Sequence, residues 1–230
     1  MLEQTGDRLE EAHHHLHAME RFYHHADEFR WSLNSFLRST KEAPQILASE
    51  LERQPEFHKW IRVERETLRA DPLLSHLAKT RDFLVHRGML VPRSSGFVGI
   101  ANSSGLKYGL SWSVKATENS DDALRHYIAM ADRFDDPTGL LYPDNSTVAC
   151  VQREWKMDPF EEDLLKLAGD AWHRLADMVS RVAHESKVDH PPIRLTCLHP
   201  VERVQIKRYS HDVVWRWYEE LGGKLEHPRV

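Results

Sequence analysis

The apolar positions of the first 40 residues recur in alternating steps of three and four. This spacing puts them on one face of a helix that buries against other helices. The residues on this face are Leu9, Ala12, Leu16, Met19, Tyr23, Ala26, Leu33 and Leu37. The pattern predicts a long first helix with room for one break.

Two more helices are predicted before residue 90. Residues 56–69 carry a second amphipathic pattern. Asp71 and Pro72 then combine an N-cap residue with a proline at the first helical position, which is typical of a helix start. The third helix is expected to end at His86 or Arg87, just before a glycine.

The middle of the chain changes from a helical to a strand-like pattern. Residues 95–117 predict a hairpin of two strands, and residues 147–155 predict a further strand. Asp158-Pro159 repeats the N-cap and proline signature. It predicts the start of the last main helix, which keeps one apolar face until about His184.

These elements predict a mainly α fold. The helical bundle is expected to comprise residues 1–95 and 156–190. A β-hairpin-containing insertion, 96–155, separates the third helix from the last main helix. Residues 191–230 form a C-terminal extension with a strand candidate at 193–198 and an aromatic stretch at 213–218.

The composition is that of an ordinary globular chain. Of 230 residues, 40% are hydrophobic and 29% are charged, and the net charge is −5. No apolar run reaches the roughly 18 residues of a membrane span, and no signal peptide is recognisable, so we expect no membrane partner and a cytoplasmic protein. Cys150 and Cys197 are expected to be ordinary reduced thiols.

Histidine is unusually frequent, with 16 residues. Six of them lie in or beside the first helix: His13, His14, His15, His17, His24 and His25. His13 and His17 have the i, i+4 spacing of a two-ligand metal site, but no HExxH motif accompanies them. We therefore interpret these histidines as polar surface and predict no metal and no cofactor, with a histidine-rich metal protein as a further alternative.

Arg81 interrupts the apolar face of the third helix. On a helical wheel it lies only about 20° from Leu74, between Leu77 and Val85. A buried arginine needs a partner, so we expect a buried acid, a phosphate or a subunit interface, unless the side chain reaches out to solvent. His86 follows about one and a half turns later, in the last helical turn. A permanent cation and a titratable imidazole suit phosphodiester chemistry.

The segment from Arg81 to His86 resembles the R-x4–6-H motif of the HEPN family, in which a polar residue, here Asp82, follows the arginine. The resemblance covers residues 1–90 and 158–186. It implies a helical bundle and a metal-independent endoribonuclease that works as a homodimer. It also implies the toxin of a toxin–antitoxin or phage-defence system, paired with a nucleotidyltransferase-like antitoxin protein.

The resemblance implies a role for each residue of the motif. His86 would transfer a proton and Arg81 would stabilise charge on the scissile phosphate of an RNA substrate, leaving a 2′,3′-cyclic phosphate. Asp82, Arg30 and Asn34 are candidates for supporting the site or contacting RNA. The alternative is a non-catalytic helical binding or interaction module, in which Arg81 is only a structural ion pair.

Overall fold

The computed structural model describes residues 2–52, 57–87, 90, 92–131, 136–141, 143–144, 146–189 and 197–223, and for residues 59 and 83–87 it describes the backbone alone. The elements in chain order are α1 (Glu3–Arg21), α2 (Ala26–Glu50), α3 (His58–Ala70), α4 (Pro72–Arg87), β1 (Arg93–Asn102), β2 (Gly105–Trp112), α5 (Ser120–Ala131), β3 (Val148–Lys156), α6 (Leu164–Ser186), a short 3-10 turn (Val201–Arg203), β4 (Ile206–Tyr209) and α7 (His211–Glu220).

The chain divides into two compact units. The first unit comprises Met1–Phe22, Asp27–Val91 and Phe160–Val201. The second comprises Tyr23–Ala26, Pro92–Pro159 and Glu202–Val230. Both units are therefore built from three separate stretches of chain.

The first unit is helical. Its α1 packs against α6, and α4 packs against both α3 and α6. The apolar face predicted for α1 is buried, with Leu9 and Leu16 almost completely removed from solvent. Helix α6 carries an apolar face along its whole length. The other helices of the unit can therefore bury their own apolar faces against it.

The second unit is an antiparallel sheet covered by two helices. The strand order is β2-β1-β3-β4, and all three pairings are antiparallel. The predicted hairpin is confirmed as β1 and β2, which meet at a turn where Gly105 has a positive φ of 139°. Helices α5 and α7 pack on the sheet and on each other. Their contact encloses an apolar core that includes Val98, Tyr127 and Val151.

The predicted mainly α, HEPN-like bundle is wrong as a fold class. Among the residues that the structure describes in full, helices account for 59% and strands for 16%, which makes the fold mixed α/β. The predicted hairpin is only half of the sheet, because β3 pairs with residues 93–101 of β1 and β4 adds a fourth strand. The β residues thus form a unit with its own core.

Two predicted helix boundaries also need correction. The last main helix begins at Leu164, since Asp163 is its N-cap, and Asp158 and Pro159 lie in a turn before it. The break in the first long helix comes after Arg21, and α2 then continues through Pro44 to Glu50. The strand candidate at 193–198 falls mainly outside the described residues, and residues 213–218 belong to α7. Among the residues described, no helix has the length and apolar character needed to cross a bilayer.

Candidate functional site

A groove runs along α3 in the first unit. It consists of two adjoining depressions that share Arg65 and Arg69. The first, of about 290 Å³, opens between α2, α3 and α4, with Leu175 of α6 at its base. The second, of about 410 Å³, lies between the end of α2 and the start of α3. We call the two together the α3 groove.

Cationic side chains dominate the lining of the α3 groove. They are Lys41, Arg62, Arg65, Arg69 and Lys79. The three arginines share one face of α3, because their spacing follows the helical repeat. The acids in the lining are Glu52 and Asp82, and Asp82 is engaged by Lys41. The groove is therefore positive in a chain whose net charge is −5.

The floor of the first depression is apolar. It is formed by Leu68, Leu74, Leu77 and Leu175, of which the last three are buried. A concave apolar floor with a cationic rim matches a nucleotide, since the base is apolar on its faces and the phosphate is anionic. The geometry thus favours a ligand of this class.

Arg81 is not among the residues that line the groove, but it is paired with acids, one of which is the groove-lining Asp82. Its guanidinium lies 3.8 Å from a Glu42 carboxylate oxygen and 3.6 Å from an Asp82 carboxylate oxygen. The same Glu42 carboxylate also contacts Arg8 at 3.3 Å and Arg38 at 3.1 Å. The position of Arg81 on the apolar face of the helix required a partner, and carboxylates supply it. About a quarter of the Arg81 side chain stays exposed.

Among the other predicted site residues, Asp82 lines the groove, whereas Arg30 and Asn34 do not. The His86 side chain lies outside the described part of the structure. Arg30 is buried and paired with Asp27 on its own helix. The Asn34 Oδ1 is buried and has no hydrogen-bond partner among the residues described. Asn34 precedes Lys41 by seven residues, about 10 Å along the helix axis, so Arg30 and Asn34 are not brought into the α3 groove.

A second cluster of chemically active side chains lies elsewhere in the first unit. His13, His17, Cys197 and His199 converge so that one ligand atom from each lies within 4.8 Å of the others. From the sequence alone, His13 and His17 were interpreted as polar surface and Cys197 as an ordinary reduced thiol, and His199 was not considered as a ligand. The structure instead buries His13. The available signal was the Cys-x-His pair at 197–199, which offers two metal-ligand types at close spacing. Burial lowers the pKa of His199, and the hydrogen bond to Glu20 opposes that shift.

One family comparison identifies the chain. A profile of the family of the bacteriophage lambda protein ea47 matches residues 2–204, nearly nine-tenths of the sequence. The chain belongs to this family. No curated protein and no solved structure matches it. The span shared with the ea47 family contains both the α3 groove and the histidine cluster. The HEPN resemblance is not tested by this match and stays a prediction.

Proposed function

We propose that this ea47-family protein binds single-stranded RNA in the α3 groove. One observation carries the proposal: among the described residues, five cations and two acids line the α3 groove, and its first depression has an apolar floor, in a chain that is acidic overall. Binding of a phosphate backbone to lysine and arginine side chains is favoured by release of counterions from the nucleic acid. The positive charge is concentrated where the surface is concave.

The shape of the groove favours a single strand over a duplex. A duplex keeps its bases stacked inside, so it presents only phosphates and groove edges to a protein. In a single strand, a base can rotate away from its neighbours and enter a depression, while the phosphates of the strand stay at the rim. The Leu74 and Leu77 side chains offer the base an apolar contact, and Arg65 and Arg69 stand beside it.

The choice of RNA as the ligand and the prediction of RNA cleavage both rest on the resemblance of the segment from Arg81 to His86 to the HEPN motif. Cleavage, homodimer formation, the antitoxin partner and the cytoplasmic location stay predictions. Incubation of RNA with the protein in buffer free of added divalent metal ions, compared with Arg81→Ala and His86→Ala, tests cleavage. Cyclic phosphate ends from the wild type alone would support a ribonuclease. If the RNA stays intact at saturating protein, the result would favour the alternative function, a non-catalytic binding module.

The groove itself is tested by fluorescence anisotropy with a labelled single-stranded RNA. The double variant Arg65→Gln with Arg69→Gln should weaken binding about 10-fold or more, because two charge-assisted contacts are lost. The matched control is Arg21→Gln with Lys166→Gln, which removes two exposed cations of the same unit outside the groove. Its affinity should stay near that of the wild type.

Two results would contradict the proposal. Equal losses in the two double variants would show that net charge, and not the α3 groove, governs binding. Tighter binding of single-stranded DNA of the same sequence would exclude RNA as the preferred ligand, since the ribose 2′-hydroxyl is what distinguishes the two.

A further inference from the structure

The histidine cluster joins two distant parts of the sequence. His13 and His17 lie one turn apart on the same face of α1. Cys197 and His199 lie in the segment that follows α6, which the fold brings against that face. The four residues all belong to the first unit. Nothing in helix formation or in apolar packing requires three imidazoles and a thiol to meet in this way.

The distances approach those of a metal coordination sphere. The His17 Nε2 lies 3.4 Å from the Cys197 Sγ. In a tetrahedral zinc site, metal–ligand bonds of about 2.0–2.3 Å separate neighbouring ligand atoms by about 3.3–3.6 Å. The largest separation in the cluster is below 4.8 Å, so side-chain rotation alone can close the remaining distance.

Glu20 orients two of the imidazoles. One carboxylate oxygen of Glu20 lies 3.3 Å from the His17 Nδ1 and 3.2 Å from the His199 Nδ1. Both rings are thereby held with Nδ1 outward and Nε2 toward the cluster. A carboxylate that accepts from the non-ligating nitrogen is the usual outer partner of a metal-bound histidine.

Two of the four side chains, those of His13 and His199, are buried, whereas 44% of the His17 side chain is exposed. Only 1% of the His199 side chain is exposed, and its Nε2 has no hydrogen-bond partner among the residues described. A buried polar nitrogen without a partner is costly, so its presence requires a reason. The His13 ring is also buried and stacks on Trp172, with centroids 4.4 Å apart. This contact fixes the orientation of the third imidazole.

We infer that His13, His17, Cys197 and His199 bind one Zn²⁺ ion. Imidazole nitrogen and thiolate sulfur are the donors that zinc prefers, and four protein ligands make a closed site of the structural type. On binding, the Cys197 thiol releases its proton to solvent and the three neutral imidazoles donate lone pairs. One negative charge from the thiolate and one from Glu20 balance the two positive charges of the ion.

The ion would clamp the segment after α6 onto α1. Because the two ligands on α1 are separated from the two after α6 by at least 180 positions in the sequence, the link restricts the unfolded chain strongly. The site is independent of RNA binding, since none of its residues lines the α3 groove.

The first test is metal content, measured by mass spectrometry on full-length protein without a histidine tag. Protein loaded with zinc and dialysed against a weak chelator should retain one zinc per chain. Cys197→Ser and His17→Gln should lose it, whereas His14→Gln, an exposed histidine of the same helix, should not. A wild type that retains no zinc, or a loss with His14→Gln equal to that with His17→Gln, would overturn the inference.

Cobalt provides a second readout that does not depend on stability. Wild type loaded with Co²⁺ should show the intense visible bands of a tetrahedral ion and a sulfur-to-cobalt charge-transfer band. The charge-transfer band should vanish in Cys197→Ser. Glu20→Gln should keep the bands but weaken affinity about 10- to 100-fold, as expected of an outer partner. Octahedral spectra in the wild type would contradict the site.

Discussion

At the scale of single residues, buried polar groups organise the second unit. Arg153 is completely buried in β3, yet its guanidinium donates to the backbone oxygens of Glu118, at 2.7 Å, and Lys115, at 3.0 Å. It also lies 3.7 Å above the Trp155 ring. A buried charge is tolerated because its donors are satisfied and it stacks on an aromatic face. Strand alternation places Arg153 on the same face as Val151 and Trp155, which are both buried, although an arginine by itself is expected to face solvent.

His24 is a second buried group of this kind, and it makes stability depend on pH. Its Nε2 donates to the Val204 backbone oxygen at 2.6 Å, and its Nδ1 accepts from the Ser120 hydroxyl at 2.7 Å. Burial lowers the pKa of His24 from 6.5 to about 4, and the charges of Lys207 and Arg153 act in the same direction. The folded unit therefore holds a neutral imidazole.

We predict that this histidine destabilises the protein between pH 6.5 and about pH 4. Above pH 6.5 the ring is neutral in both states and has no effect. As the pH falls below 6.5 the unfolded chain binds the proton first, so the free energy of unfolding drops, by about 3 kcal/mol at pH 4. Denaturant unfolding at several pH values measures this.

The His24→Gln variant should show a flatter pH dependence over that window. His184→Gln, which replaces a histidine that is 86% exposed, is the control and should follow the wild type. A His24→Gln curve parallel to the wild type would show that the imidazole is not buried in its neutral form.

At the scale of elements, the sequence predicted which segments form helices more accurately than it predicted where those helices begin and end. The start of α4 was predicted correctly because Asp71 accepts from the Leu74 backbone N–H and Pro72 follows it. The same two-residue signature at 158–159 failed. A local signal cannot show whether the following residues have the space to form a helix, and here α6 begins only after Asp163.

The position of this cap gives a prediction. The Asp163 side chain accepts from the Leu165 N–H at 2.9 Å, so Asp163→Ala should cost about 1 kcal/mol of stability. Asp158→Ala, at the cap expected from sequence, removes only an exposed pair with Arg93 and should cost less than about 0.5 kcal/mol. Chemical denaturation compares the two. A larger loss for Asp158→Ala would place the functional cap at the earlier aspartate.

The sheet shows why the fold class was mispredicted. The β1–β2 hairpin is local and has a turn that the sequence reveals at Asn102–Gly105. The β1–β3 pairing joins residues 47 to 63 positions apart, and β4 has only four residues. Pairings of this kind depend on tertiary packing, so periodicity alone could not predict a four-stranded sheet.

At the scale of the whole molecule, the site residues were partly predictable. A helical wheel identified Arg81 as a charged residue on an apolar helix face, and the structure shows it paired with Glu42 and Asp82. The α3 groove was missed because it assembles cations from three helices. The histidine cluster was missed because its two halves come from opposite ends of the sequence.

The charge distribution predicts how RNA affinity depends on salt. With five cations in the groove, a plot of log affinity against log salt should have a negative slope, no steeper than about −3.5 for a single strand. Arg65→Gln with Arg69→Gln should make that slope shallower by about 1.4. Anisotropy titrations over a range of salt concentrations measure both. A slope that the double variant leaves unchanged would place the phosphate contacts elsewhere.

The interleaving of the two units affects how the protein emerges from the ribosome. Helices α1 to α4 are complete by Arg87, but α6, on which α1 and α4 pack, ends only at Ser186. At translation rates of about 5–20 residues per second, the apolar faces of the nascent helices wait about 5–20 s for their partner. The sheet is likewise finished only when β4 is synthesised. The nascent chain therefore leaves the apolar faces of α1 and α4 exposed until α6 has been synthesised.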